Sequence, residues 1–367
     1  MIVDRRLLPH LDLPLLGAVI ALSLIGLATV YSVTMDPSTG QPGPEFWTQV
    51  YALPIGFAAL LVCLVIDYRT LTQRSLFLYG ALVIALVAVM YFGVVRGGSR
   101  RWLALGGFTL QPSEFGRLAV ALVLAAFYGE SRRSARSLFE LASGAILLGV
   151  PVVLILNQPD LGTAATLIPV YMGIVFVAGL RTKWLAIAGI VGLLLTPVVW
   201  SYVLADYQKE RVVTFLDPSK DPRGSGYQQI QAKITVGSGG LFGKGFGAGT
   251  QSGYGFLPVA HNDFVYSAFA EQYGFFGVLV TLGLYLIVIL RSLDAARLAK
   301  DRVGAFLVVG ILSGFGFQVL YNITMSAGLA PVKGLTLPLM SYGGSSLLAT
   351  LAGFGLILNV RMRRFTN

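Results

Sequence analysis

About ten long apolar stretches, each able to cross a bilayer as a helix, constrain this chain more than any other feature. A membrane-spanning helix needs about 20 consecutive apolar residues. Stretches of that kind recur, approximately, at 13–33, 46–66, 75–95, 114–128, 138–156, 162–180, 184–204, 264–290, 303–323 and 339–360. Only 12% of the residues are charged, whereas soluble domains carry about 25%. The sequence therefore predicts an all-α polytopic membrane protein, with residues 1–367 forming one integral membrane domain.

Basic residues indicate how these helices are oriented. Arg5 and Arg6 precede the first apolar stretch, and Arg363 and Arg364 follow the last one. Short cytoplasmic segments are enriched in Lys and Arg. We therefore expect both termini in the cytoplasm, and we expect the longest polar segment, 205–262, to be a large extracellular loop between the seventh and eighth helices.

The formal net charge of +10 is compatible with a nucleic-acid partner or with basic loops beside a membrane. Nucleic-acid-binding chains usually carry a basic helix or a basic patch on one face, and this sequence has no such helix and no interleaved basic and aromatic residues. We therefore expect no nucleic-acid partner. The single cysteine, Cys63, excludes an intrachain disulfide and disfavours a thiolate metal site.

The segment LPVAHNDFVYSAFAEQYGFFG (257–277) places two acids at the beginning of a membrane helix. Asp263 lies where the polar segment ends, and a helix N-terminus favours a carboxylate. Glu271 lies two turns further along, where an ionised carboxylate is costly unless it is paired or faces water. Two acids beside a loop that carries Lys and Arg predict chemistry at a membrane surface.

A second cluster of polar residues enters the fourth apolar stretch, in GGSRRWLALGGFTLQPSEFGRL (97–118). Arg101 lies on the side that the positive-inside rule leaves poor in basic residues, and Trp102 suits the level of the lipid headgroups. Glu114 and Arg117 share one helix face. They are either functional residues inside the membrane or an ion pair that allows two charges to be buried together.

Three other segments carry candidate residues. Asp160, in NQPDLG, either caps the sixth helix or contributes to a site. Arg211 and Lys244, in the long polar segment, either meet a phosphate group or are solvated loop charges. Ser341, in PLMSYGGSS, either contacts a substrate or packs against a neighbouring helix. The Gly-rich run around Lys244 is not a P-loop, because Gly follows the Lys and no strand–helix unit surrounds it.

Taken in order, these segments resemble the SEDS family (shape, elongation, division and sporulation). The resemblance rests on GSRRWLALGGFTLQPSEFGRL, NQPDLGTA, RVVTFLDP, GKGFGAGTQS, FLPVAHNDF, AEQYGFFG and LPLMSYGGSS, which span nearly the whole chain. FLDP, GKGFGAGTQS and the short tails are more similar to the elongation branch than to the division branch. The resemblance implies a multi-pass bacterial cytoplasmic membrane protein that polymerises lipid II into glycan strands for cell elongation and rod shape. It also implies a class B penicillin-binding protein and the elongation machinery as partners.

The resemblance also implies roles for individual residues. Asp263 corresponds to the family's essential acid, and Arg117 stands where the family usually has Lys. Arg101, Trp102, Glu114, Asp160 and Arg211 also match family positions. Together with Arg117, and with Lys244, Glu271 and Ser341, which were singled out from the sequence itself, they are the candidates for substrate binding.

The mechanism expected from these residues is a single inverting displacement. Asp263 would act as the general base on the acceptor hydroxyl. Arg101, Arg211 and Lys244 would stabilise the departing undecaprenyl pyrophosphate. A divalent cation, Mg²⁺ or Mn²⁺, is a candidate for assisting them, and no organic cofactor is expected.

Two other functions are compatible with the residues. A transporter that flips the lipid-linked precursor would use the intramembrane charges as a polar path, but the sequence shows no internal repeat and no symmetric pair of broken helices of the kind that transporters show. A scaffold that only positions a partner enzyme would not explain why acids and basic residues meet at one surface.

Overall fold

The computed structural model describes residues 8–36, 38–96, 99–105, 108–129, 137–203 and 206–365. Arg5 and Arg6, used above for orientation, and the first residue of the long polar segment lie outside these ranges. The described α-helices are, in chain order, α1 (Leu13–Thr34), α2 (Pro44–Val65), α3 (Tyr68–Gln73), α4 (Ser75–Phe92), α5 (Gly116–Gly129), α6 (Leu138–Leu156), α7 (Leu161–Val177), α8 (Thr182–Val198), α9 (Asp206–Leu216), α10 (Ser225–Ser238), α11 (Thr250–Gly253), α12 (Val265–Arg297), α13 (Arg302–Ser326) and α14 (Gly344–Met362).

Seven of the described helices, α1, α2, α4, α6, α12, α13 and α14, are long and apolar enough to cross a membrane. This confirms the prediction of a helical, polytopic membrane protein. The other predicted spans coincide with the shorter helices α5, α7 and α8, and α8 continues as a π-helical turn, Val199–Val203. Three points stay predictions: the total of about ten spans, the location of both termini in the cytoplasm, and the side of the membrane on which each loop lies.

Helix α14 is at the centre of the described bundle. It packs along α2, while α13 packs against α5 and α7, and α1 packs against α12. Almost every residue of α14 is buried, so this helix has no face left for lipid. By contrast, Phe77 on α4 and Phe139 on α6 are 77% and 80% exposed, as expected for side chains that face acyl chains rather than water.

The structure adds a small sheet to the predicted helical architecture. Strands β1 (Val94–Arg96), β2 (Ser99–Leu105) and β3 (Phe108–Leu110) pair in the order β1-β2-β3, both pairs antiparallel. A 3-10 turn, Pro112–Phe115, then leads into α5. Likewise, the described part of the long polar segment contains α9, α10 and α11 and is not an open loop.

The expected start of the last span at Leu339 is wrong, because α14 begins at Gly344. The preceding segment contains two prolines, which donate no backbone hydrogen bond, and Leu339 has a left-handed φ of 71°. Asn322 on α13 donates a hydrogen bond of 2.7 Å to the carbonyl oxygen of Leu335. Irregular backbone of this kind is tolerated within a membrane protein where it is buried in protein.

Helix α12 is broken at Gly274, whose φ of 63° and ψ of −163° are not helical. The segment before α11 forms backbone hydrogen bonds with residues on both sides of the break. The N–H of Lys244 donates to the carbonyl oxygen of Glu271 at 3.0 Å, and the N–H of Phe275 donates to the carbonyl oxygen of Gly240 at 2.9 Å. These bonds satisfy backbone groups that the break releases. The first part of α12 is thereby a short, separately anchored helix that begins two residues after Asp263.

Candidate functional site

A cavity of about 860 Å³ opens where three helices begin. The first turns of α7 and α14 line it, as does the residue that precedes the first turn of α12. Because unpaired N–H groups at helix N-termini favour negative charge, this arrangement suits an anionic ligand. The predicted site residues that line the cavity are Arg101, Trp102, Glu114, Asp160, Arg211 and Asp263.

Asp263 carries the carboxylate with the fewest partners in the cavity. Its Oδ1 atom is shielded from solvent and accepts no hydrogen bond from the described part of the chain. Burial raises the pKa of Asp263 from 3.8 to about 7, although the positive charge of Arg211 opposes this shift. A partly buried carboxyl group with a pKa near neutrality is suited to accept a proton during catalysis.

The backbone around Asp263 is held from two sides. Asn322 donates a 2.8 Å hydrogen bond to the carbonyl oxygen of Asp263. Ser341 donates one of 2.6 Å to the carbonyl oxygen of Asn262 and accepts one of 2.8 Å from the N–H of Leu337. Ser341 therefore positions the chain next to Asp263 and does not line the cavity itself; a role in substrate binding stays a prediction.

Asp160 is the N-cap of α7 and has several other partners. Its Oδ1 atom accepts a 3.1 Å hydrogen bond from the N–H of Thr163, and its Oδ2 atom accepts bonds from the Thr163 hydroxyl at 2.9 Å and from the Gln111 amide at 3.0 Å. The geometry thus matches the capping alternative, while the residue still forms part of the cavity wall.

Arg101 joins the sheet to the turn that precedes α7. Its Nε and Nη2 atoms donate to the carbonyl oxygens of Gln158 and Pro159 at 2.9 and 2.6 Å, and its Nη1 atom lies 3.7 Å from Asp160 Oδ1. Most of the guanidinium group is therefore occupied by the protein. Trp102, the next residue on β2, is half-buried and lines the same wall.

Glu114 and Arg117 form a buried ion pair with an Nη2 to Oε2 distance of 2.9 Å. Glu114 lines the cavity, whereas Arg117 lies behind it and also hydrogen-bonds Gln318. Gln318 in turn donates to Thr336 at 3.2 Å, and Thr336 lies 3.1 Å from the Ser346 hydroxyl. A connected network of this kind satisfies charges that would be costly if one partner were removed.

Lys244 and Glu271 are paired with each other and do not line the cavity. Glu271 is completely buried and accepts a 2.7 Å hydrogen bond from Lys244 Nζ. Its two oxygens also accept backbone N–H bonds from Thr250, Gln251 and Ser252 at 2.9, 2.9 and 3.0 Å. The cluster therefore fastens the segment 244–252 to α12, and the substrate-binding role foreseen for both residues is untested.

Several cavity residues did not emerge from the sequence as site residues. They are Gln111, Lys333, Thr336, Ser345 and Ser346. Lys333 was visible as a basic residue close to two prolines, and Ser345 and Ser346 belong to the motif singled out through Ser341. Which of these polar residues faces the cavity depends on the irregular backbone before α14, and this has no periodic pattern in the sequence.

The donor set does not fit a divalent cation held by the protein. Among the described residues, no three His, Cys, Asp or Glu side chains cluster closely enough to hold a metal ion. Of the acids in the cavity, Asp160 is occupied by hydrogen-bond donors and Glu114 by Arg117. The expected participation of Mg²⁺ or Mn²⁺ stays a prediction.

Fold and site together define a polytopic, helical membrane protein with a polar cavity that combines a free carboxylate, basic side chains and helix N-termini. The family model for the FtsW, RodA and SpoVE proteins, described as cell cycle protein, matches residues 12–365. The chain belongs to this family, and the resemblance inferred from its motifs is confirmed.

Individual relatives cover nearly the full chain. Peptidoglycan glycosyltransferase MrdB of Escherichia coli (strain K12) is 36% identical over 355 residues, which are 97% of this chain and 94% of the relative. A solved structure described as "Structural coordination of polymerization and crosslinking by a peptidoglycan synthase complex" contains a chain with a TM-score of 0.84 and 33% identity, covering 97% of this chain and 99% of that one. The rod shape determining protein RodA of Thermus thermophilus superposes with a TM-score of 0.72 at 32% identity, covering 97% and 98% of the two chains.

Proposed function

We propose that this protein is a peptidoglycan glycosyltransferase of the elongation type, which polymerises lipid II at the outer face of the bacterial cytoplasmic membrane. The names of the relatives support the reaction class. The observation that carries the proposal is the carboxylate of Asp263, which lies in a cavity with Arg211 and has an Oδ1 atom that accepts no hydrogen bond from the described residues.

In the proposed reaction, Asp263 removes the proton from the 4-hydroxyl of the acceptor's N-acetylglucosamine. That oxygen attacks the anomeric carbon of the growing strand, and the bond to undecaprenyl pyrophosphate breaks with its electron pair on the pyrophosphate. A single displacement inverts the α-linked donor to a β-linked product. Because pyrophosphate leaves as an anion, no second carboxyl group is needed as an acid, unlike in glycoside hydrolysis.

Charge stabilisation of the leaving group falls mainly to Arg211 and to the helix N-termini. Arg211 lines the cavity near Asp263. Helix α14 begins at Gly344, and its N-cap residue, Gly343, provides no side-chain cap, so its first N–H groups are available to an anion. Lys244, which the sequence suggested for this role, is bound to Glu271 outside the cavity.

A class B penicillin-binding protein is the proposed partner, together with the rest of the elongation machinery. The structural neighbour described as a peptidoglycan synthase complex, which couples polymerisation and crosslinking, supports this assignment. Exposed apolar faces on α12, including Leu279, Val280 and Leu286, are available for lipid or for a partner's membrane helix.

The alternative of a lipid II flippase is less well supported by the packing beneath the cavity. Beyond Arg117, α5 continues with Val120, Val123 and Leu124, which are buried in the apolar core. This part of α5 is apolar and closely packed, which does not favour the passage of a sugar headgroup along it.

The test is incorporation of purified lipid II into glycan strands by the protein, alone and with its cognate penicillin-binding protein, beside headgroup translocation in liposomes. The proposal expects β-linked strands in at least one combination and no translocation. Translocation without strands in any combination would contradict it and establish the flippase.

A further inference from the structure

Lys333 is a cavity residue for which the reaction outlined above has no role. It lies in the irregular segment between α13 and α14 and lines the same cavity as Asp263. Its backbone N–H donates to Met325 Sδ at 3.3 Å, which fixes the chain at this point. The side chain is half-buried, and it forms no ion pair with any acid in the described ranges.

A second positive charge lies beside it. Arg211 Nη1 donates a 3.3 Å hydrogen bond to the carbonyl oxygen of Val332, the residue before Lys333. Burial lowers the pKa of the Lys333 ammonium group, and the charge of Arg211 lowers it further. Two neighbouring cations in a partly buried site repel each other, and this cost is offset when an anion binds between them.

The other predicted phosphate ligands are already occupied. Arg101 bonds two backbone carbonyls and approaches Asp160, and Lys244 bonds Glu271 and Thr250. Arg211 uses one nitrogen for Val332, and Lys333 has no side-chain hydrogen bond to the described residues. The unused donors of the cavity's basic residues are therefore on Arg211 and Lys333. Lys333 lies on the Asp263 side of the cavity, because a Cβ atom on the next residue, Gly334, would be 3.4 Å from Asp263 Oδ2.

We propose that Lys333, together with Arg211, binds the diphosphate of the polyprenyl-diphosphate donor on the Asp263 side of the cavity. This inference rests on the proposed function, and it assigns to Lys333 the role that the sequence suggested for Lys244. An ammonium group on a flexible stem contributes a compact charge to a phosphate, and the Arg211 guanidinium can contribute a two-pronged contact.

This placement is consistent with the bond changes of the reaction. The bond between the anomeric carbon and the diphosphate oxygen breaks, and the electron pair stays on that oxygen. The new negative charge is neutralised by Lys333 and Arg211, while the acceptor oxygen forms the new bond and its proton passes to Asp263. Donors that are already in position before the charge develops need little reorganisation.

Binding of a simple diphosphate ester tests the inference directly. Farnesyl diphosphate and farnesyl monophosphate are titrated against the intact purified protein, as wild type and as Lys333→Met, Lys333→Gln and Lys333→Arg. Lys220→Met is the matched control, because Lys220 is exposed and lies outside the cavity. Thermal unfolding checks that each variant is folded. If Lys333→Met does not fold, Lys333→Gln replaces it as the test variant.

The expected result is diphosphate binding about tenfold weaker or more in Lys333→Met and Lys333→Gln, as for loss of one charged hydrogen bond. Lys333→Arg should recover much of the affinity for farnesyl diphosphate. The methionine and glutamine variants should lose less affinity for farnesyl monophosphate than for the diphosphate. Lys220→Met should bind both ligands as wild type does. The rate of polymerisation by the complete complex should fall most in the variants that lose most affinity for the diphosphate.

A folded Lys333→Met protein that binds farnesyl diphosphate as tightly as wild type, and polymerises lipid II at the wild-type rate, would overturn the inference and leave the proposed function intact. If wild type makes no strands at all, the proposed function fails, whereas the binding measurement still decides whether Lys333 is a diphosphate ligand.

Discussion

Asn322 on α13 donates a 2.8 Å hydrogen bond to the backbone carbonyl oxygen of Asp263. The same amide group donates to the carbonyl oxygen of Leu335 at 2.7 Å, so one fully buried side chain joins Asp263, two residues before α12, to the irregular segment before α14. The two parts of the chain that bring Asp263 and Lys333 to the cavity are thereby fixed relative to each other.

Replacing this amide should impair activity more than folding. Asn322→Leu leaves two carbonyl groups without a donor, which costs about 1–3 kcal/mol for each one that stays shielded from water, and it frees Asp263 to move. We expect a measurable fall in thermal stability and a larger fall in the rate of glycan polymerisation. Asn322→Leu protein that polymerises at the wild-type rate would show that this tether does not position the carboxylate.

The Lys244–Glu271 pair should matter for stability and for the order of segment 244–252. Glu271→Ala removes the acceptor of several backbone N–H groups and leaves Lys244 without its partner. Leaving these donors without an acceptor costs about 1–3 kcal/mol for each one that stays shielded from water. Limited proteolysis should cut segment 244–252 faster in this variant. An unchanged cleavage rate together with unchanged thermal stability would show that this cluster does not hold segment 244–252 against α12.

Two glycines on α12 offer a matched test of the break in that helix. A Cβ atom at Gly274, which has a φ of 63°, would lie 2.3 Å from the backbone nitrogen of Gly243. Apart from the neighbouring residues and backbone of its own helix, no described atom lies within 4 Å of a Cβ placed at Gly283. Gly274→Ala should therefore be strongly destabilising or fail to fold, whereas Gly283→Ala should be neutral or slightly stabilising. Equal melting temperatures for the two variants would refute the described backbone at Gly274.

The sequence predicts the positions of the helices in this protein better than it predicts which polar side chains contact one another. Apolar stretches of bilayer length located the long helices, and the change from polar to apolar residues placed Asp263 at a helix start. Lys244 was expected at a phosphate, but its partner is Glu271, and this pairing depends on the break at Gly274. Lys333 was overlooked because an irregular segment carries no periodic pattern from which the direction of its side chains could be read.

The pH dependence of polymerisation should reflect Asp263. Because burial raises the pKa of this acid from 3.8 to about 7, kcat/KM should rise with pH and level off above that value, falling about tenfold per pH unit below it.

The folded protein binds the proton of Asp263 more tightly than the unfolded chain does. The contribution of Asp263 therefore stabilises the fold at low pH and is lost as the pH rises through about 7.

His261 provides the control for that profile, since burial lowers its pKa while the charge of Glu45 opposes the shift. Arg211 and Lys333 are the basic groups that line the cavity together with Asp263. His261→Gln should leave the midpoint of the profile unchanged. A midpoint that disappears in His261→Gln would assign the titration to the histidine.

The most direct test of Asp263 as the base is polymerisation of lipid II by Asp263→Asn together with the proposed penicillin-binding partner. Asparagine is nearly isosteric but cannot accept the proton, so we expect a loss of about 100-fold or more, with thermal stability equal to or above that of wild type because a partly buried charge is removed. Asp36→Asn, which alters an exposed carboxylate outside the cavity, should polymerise normally. Strands made by folded Asp263→Asn at the wild-type rate would contradict the assignment of Asp263 as the base.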